Sequence, residues 1–154
     1  MAKTWFETQL SQALCAGRKR DYRKAVTILE NLAARGYAEN GDRASGGHPE
    51  LYLYLARSYH ALGNFARSVA YARLYLELRP DDGSGWFFLG RTYLAAGTVH
   101  RAVFALRTSL EKNPESVDAR ALLGMAYLKA KKPIIARAVF EEALERDPDN
   151  PRLN

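Results

Sequence analysis

Three histidines, one cysteine and several runs of arginine and lysine carry most of the chemical reach of this chain. His48, His60 and His100 are widely separated, and no His-x-x-x-His or Cys-x-x-Cys spacing exists to seat a metal. Cys15 is the one thiol, so no internal disulfide can form, which fits a reducing, cytoplasmic setting. At its place in an amphipathic stretch it reads as a small buried helix residue. Gly46-Gly47 follows no strand and therefore reads as loop chemistry, not as a phosphate cradle. No constellation of nucleophile, base and orienting group is legible. The expectation is a chain that is not an enzyme and holds no metal and no cofactor.

The cationic residues remain. Lys and Arg number 23 against 17 Asp and Glu, a net charge of +6 that keeps acidic partners in view. Charge of this size most often marks a solvated surface. Two clusters stand out: Arg18-Lys19-Arg20 with Arg23 and Lys24, and Lys129 with Lys131 and Lys132. Either could meet phosphate. The aromatic residues are not interleaved with them as a base-stacking platform requires, so nucleic acid is not an expected partner. No apolar run approaches the roughly 20 residues that span a bilayer, and Met-Ala-Lys-Thr-Trp-Phe-Glu has no signal-peptide pattern.

Periodicity decides what positions these side chains. Trp86, Leu89, Gly90 and Tyr93 form W-x2-L-G-x2-Y, followed by Ala102 and Pro114. A shift of 34 residues gives Arg120, Leu123, Gly124, Tyr127, Ala136 and Pro148, with only the Trp changed. The opposite shift gives Tyr52, Leu55, Ala56, Tyr59, Ser68 and Pro80, which nearly conserve size. Leu89, Gly90 and Tyr93 share one side of a helix. A mid-helix glycine costs up to about 1 kcal/mol relative to Ala, so close approach of a second helix is expected there, with Ala102 and Ala136 as the small facing surface. Each proline ends an amphipathic segment. Gly63-Asn64 and Gly97-Thr98 read as a helix-ending glycine followed by an N-cap, and Lys131-Lys132-Pro133 replaces that pair in the last unit.

On these residues the chain resembles the tetratricopeptide repeat family over 49–150, as units 49–82, 83–116 and 117–150. The resemblance implies an all-α, right-handed solenoid of stacked antiparallel helix pairs, in which each pair buries its apolar face on its neighbours. Thr4 and Glu7 form a plausible capping box, and Asp21-Tyr22 opens a second helix. Aligning Ala25 with Ala102 frames a degenerate repeat at 6–39, so that 1–154 reads as one array of about four units. The segment 36–48, with four glycines, then reads as an inserted exposed loop, or alternatively as a local partner-binding loop. The expected helices are 4–17, 21–35, 49–62, 64–78, 83–96, 98–112, 117–130 and 133–146.

Ligands of the family usually lie in a concave groove lined by the first helix of each pair. Carried over position by position, that groove would be lined by Glu50, Leu53, Arg57, His60 and Ala61, then Ser84, Phe87, Arg91, Leu94 and Ala95, then Asp118, Ala121, Met125, Leu128 and Lys129. The degenerate unit would add Glu7, Leu10, Leu14 and Arg18. Arg57 and Arg91 are 34 residues apart and should project in parallel, as should Leu53 and Phe87. The expected site is an apolar floor of Leu53, Phe87 and Met125 with His60, Lys129 and two arginines, whose planar forks suit carboxylates. The alternative pairs the arginines with Glu50 or Asp118 and makes Phe87 a packing residue. One subclass grips acidic chaperone tails with a lysine and two asparagines. Here those positions hold Leu53, Arg57 and Phe88, so that clamp is absent.

The expected function is therefore a scaffold or adaptor that binds a protein or peptide partner of acidic character. The alternative is an assembly module that forms a homo-oligomer through uncapped ends, since Ile134, Ile135, Val139, Phe140 and Leu144 leave a stacking surface after the last unit.

Overall fold

Proline, glycine and short polar residues set the helix boundaries, and the helices fall where that punctuation places them. The structure is a computed structural model and describes residues 4–40 and 48–149, with 36–40 as backbone alone. Among these residues it holds eight α-helices and no strand: α1 Trp5–Arg18, α2 Tyr22–Asn40, α3 Pro49–Ala61, α4 Phe65–Leu78, α5 Gly83–Ala95, α6 Val99–Lys112, α7 Val117–Lys129 and α8 Pro133–Arg146.

The starts are set by side-chain caps. Thr4 and Glu7 form the reciprocal capping box, with N–H···O distances of 3.0 and 3.2 Å. Asn64, Asp82 and Ser116 accept from the backbone N–H groups of Arg67, Ser84 and Ala119. Thr98 departs from expectation. Its hydroxyl donates to the Tyr93 carbonyl at 3.2 Å and makes no cap to α6.

The turns inside the four helix pairs share one geometry. Arg20, Gly63, Gly97 and Lys131 all have left-handed backbone, with φ of 61°, 75°, 77° and 57°. Each donates its N–H to the carbonyl three residues back, and the next residue donates to the carbonyl five back. Glycine takes this conformation freely, whereas Arg20 and Lys131 carry a Cβ there.

The expected loop at 36–48 needs correction. α2 continues to Asn40, so its first part is helical, and 41–47 lie outside the described residues. One glycine, Gly36, penalises a helix by about 1 kcal/mol, too little to stop one already almost four turns long.

The chain divides into two compact units, Met1–Arg79 and Pro80–Asn154. In the first, α1 packs on α2, and α3 packs on both α2 and α4. Its core joins Ala13, Val26, Leu29, Leu32, Leu51, Leu55 and Tyr59, with Phe6, Leu10, Tyr54 and Tyr71 against them. Cys15 was expected to be buried like its counterparts Ser58, Thr92 and Ala126, but it is exposed. α1 packs chiefly on α2 and buries Ala13 and Ala16, which turns Cys15 to solvent.

Three helices of this unit meet at Tyr59. Its hydroxyl donates to Glu30 Oε1 on α2 and accepts from Arg67 Nη1 on α4 at 2.6 Å. Burial, followed by the Glu30 carboxylate, raises the Tyr59 pKa above its ordinary value near 10. The folded chain therefore holds a proton that the unfolded chain releases above about pH 10. Stability is expected to be unaffected by this group below that pH and to fall as pH rises beyond it. Urea unfolding at stepped alkaline pH should show this slope, and Tyr59→Phe should reduce it.

In the second unit α5 packs on α6, α7 packs on α6 and α8, and α5 also meets α7. Ala102 and Ala136 are fully buried, as the repeat requires. The atoms nearest the glycines, however, belong to residues one turn further on. A Cβ built on Gly90 would lie 2.6 Å from Leu106 Cγ, and one on Gly124 would lie 2.6 Å from the Phe140 ring. Arg120, which stands where the preceding unit has Trp86, is buried at 6% exposure and pairs with Glu142 at 3.1 Å.

Candidate functional site

Residues spaced by one helical turn share a face, so the expected groove residues of α3 lie together on one side of that helix. Leu53, Arg57 and His60 follow one another along that face. Leu53 is half-buried, Arg57 is exposed, and His60 meets the Phe65 ring edge-on at 5.3 Å. Glu50 does not pair with Arg57. It pairs with Arg79 of α4 at 3.5 Å. Arg57 has no ion pair among the described residues. On α1, Leu10 packs against the core and Glu7 serves the capping box, which removes both from the expected groove.

The second unit holds the rest of the expected site. On α5, Phe87 is half-buried and Arg91 is exposed one turn later, its guanidinium carbon 5.2 Å from the centroid of the buried Phe88 ring. On α7, Met125 is 48% exposed and Lys129 follows one turn later, also exposed. Leu94 and Ala121 are buried and form core, not groove.

A cavity of about 190 Å³ lies beside Phe87 and is also lined by Ser84 and Asp118. Three residues expected in the groove thus converge on one space, with Asn113 and Ser116 completing a polar wall. The Asp118 carboxylate disfavours an anion inside it and suits a neutral hydrogen-bond donor. Lys129 lines a different cleft, formed with the α5–α6 and α7–α8 turns.

Sequence reasoning missed three features. Phe104 is 66% exposed and packs edge-on to Trp86 at 6.2 Å. Arg120 Nη1 is buried without a hydrogen-bond partner. Lys131 sits in a left-handed turn where Gly63 and Gly97 stand in earlier units, and that mismatch was visible in the aligned repeats. Among the described residues no group of three His, Cys, Asp or Glu side chains is placed to hold a metal, and no helix is long and apolar enough to cross a membrane.

Comparison with known proteins agrees with this architecture. Two family models, both described as tetratricopeptide repeat, match residues 49–92 and 87–151. No curated protein matches the chain. Among solved structures, MamA 41-end from Desulfovibrio magneticus RS-1 is 14% identical with a TM-score of 0.82, over 95% of this chain and 77% of that one. YrrB, described as a TPR protein with an unusual peptide-binding site, is 18% identical with a TM-score of 0.83, over 97% and 72%. The Arabidopsis OM64 TPR domain is 15% identical with a TM-score of 0.65, over 68% and 87%. At these identities the likeness is one of fold. Through the repeats at residues 49–151, this chain belongs to the tetratricopeptide repeat family.

Proposed function

We propose that the chain is a non-catalytic interaction scaffold that binds a peptide segment of acidic character through the exposed faces of its first-of-pair helices. The observation that carries a peptide ligand is the cavity beside Phe87, where Ser84, Phe87 and Asp118 converge at positions the family uses for ligands, and the acidic character rests on the exposed Arg57 and Arg91. A neutral donor side chain of the peptide would enter that cavity, and Arg91, one turn along α5, would take a carboxylate next to it. On α3, Arg57 offers an exposed guanidinium above Leu53. The peptide-binding site named for YrrB supports a peptide as the ligand class. The exposed Cys15 thiol suits a reducing, cytoplasmic setting.

Affinity capture with mass spectrometry tests the proposal. Arg57→Glu combined with Arg91→Glu is expected to cut recovery of the main partner by about tenfold or more, with the helical circular-dichroism signal unchanged. Unchanged capture by the folded double variant would remove the arginines from the binding account.

A second reading has its own observation. Ile134 is 85% exposed and Ile135 44% on α8, with Leu128 at 52% on α7. Exposed apolar side chains of this kind favour self-assembly where they form one patch. Light scattering over a dilution series decides it, since a strict monomer at every concentration excludes a homo-oligomer.

A further inference from the structure

The basic cleft at the turns of the second unit belongs to no part of the function proposed above except through Lys129. It has a volume of about 650 Å³ and is lined by Gly97, Thr98, Val99, His100 and Arg101 from one turn and Lys129, Ala130 and Lys131 from the next. Three of these eight residues, Arg101, Lys129 and Lys131, are cationic, and none is acidic. Outside the cleft lining Lys112, Arg120, Arg137 and Arg146 each have a carboxylate partner, while Arg107 and Lys132 have none among the described residues. Arg101, Lys129 and Lys131 have none among the described residues. Three unneutralised cations around one concavity repel one another, and a bound anion relieves that repulsion.

Two details of the turns point the same way. Lys131 holds φ of 57° at the place where Gly63 and Gly97 hold 75° and 77°. A side chain is strained there, so Lys131 joins the cleft lining against the backbone's preference. The Thr98 hydroxyl is turned to the Tyr93 carbonyl, so α6 enters the cleft without a side-chain cap and without an acidic residue in its first turn.

We propose that this cleft binds a phosphate-class oxyanion, held by Arg101, Lys129 and Lys131. A compact tetrahedral dianion can accept from all three cationic side chains of the lining, whereas a planar carboxylate is matched by a single guanidinium fork. The site shares only Lys129 with the expected peptide groove and is tested without a peptide.

The experiment is a ¹⁵N-resolved NMR titration with sodium phosphate against sodium chloride at matched ionic strength. Saturable shifts are expected at the amides of 97–101 and 129–131 with phosphate only. Lys131→Gly fits the left-handed turn and should fold at least as well, with a melting temperature equal or higher, while weakening phosphate binding about tenfold. Arg101→Gln with Lys129→Gln should abolish the saturable shifts. Co-sedimentation with phosphatidic acid vesicles, lost in Lys131→Gly, would identify a lipid headgroup as the source. Phosphate shifts without vesicle capture would identify a soluble phosphomonoester. Shifts that do not saturate, that chloride reproduces, or that persist at full affinity in Lys131→Gly and in the double variant would overturn the proposal.

Discussion

Gly90→Ala is expected to destabilise the chain by about 1–2 kcal/mol, although alanine is the better helix former by up to about 1 kcal/mol. The new Cβ would lie 2.6 and 2.9 Å from Leu106 Cγ and Cδ2, and 3.3 Å from the Leu106 backbone nitrogen. Leu106 is fully buried, so it has no free volume into which to retreat. Gly124→Ala meets the ring of Phe140 at the same 2.6 Å. That ring is only half-buried, and its far edge can swing toward solvent. The second substitution is therefore expected to fall within about 0.5 kcal/mol of wild type, the helix gain offsetting the shift of the ring. Urea or thermal unfolding of the two variants side by side reads the difference. Equal effects would mean that Leu106 is not confined as its burial implies.

Glu142→Ala is expected to cost about 1–3 kcal/mol. Arg120 lies at the position that holds Trp86 in one repeat and Tyr52 in another, so a guanidinium occupies space that the repeat gives to an aromatic ring. Its side chain is 7% exposed, its Nε donates to Glu142 at 3.1 Å, and its Nη1 has no partner. Removal of Glu142 strands the remaining charge. Glu142 is itself 53% exposed, which allows water to reach the vacated side and holds the loss below that of a fully buried pair. Arg146 keeps its 2.7 Å bond to Glu115, so little of the loss passes through it. Arg120→Trp, which restores the residue type of the preceding unit, is expected to be neutral or stabilising. Chemical denaturation checks both variants, and an unchanged midpoint in Glu142→Ala would contradict the role given to the pair.

The repeat made most of this architecture legible before any coordinates. Prolines 80, 114 and 148 and glycines 63 and 97 act locally, through fixed φ or through a missing Cβ, so their consequences follow from residue type and spacing. The capping box at Thr4 and Glu7 is local in the same sense. What did not follow depends on neighbours distant in sequence. Leu106, not Ala102, stands against Gly90 because side chains on a helix lean toward the preceding turn, so the facing atom belongs to a residue further along. Cys15 occupies the same repeat position as Ser58 yet is exposed, because burial there is supplied by an adjoining helix pair and not by the helix itself. The second helix ran past Gly36 because a propensity penalty is a weak signal beside an established helix. Of the candidate site, the placement of Phe87, Arg57 and Arg91 on first-of-pair helices was readable from the register. The cavity uniting Ser84, Phe87 and Asp118 was not, since α5 and α7 are brought together only by the fold.

Photo-cross-linking tests the central claim, that a partner peptide lies on the first-of-pair helix faces, most directly. A benzophenone amino acid is placed at Phe87 in one variant and at the exposed Phe104 in another, and each is irradiated with the captured partner. The account predicts cross-links from position 87 to one short, contiguous partner segment, with that segment unlabelled from position 104. Labelling of the same segment from position 104 and not from position 87 would contradict it.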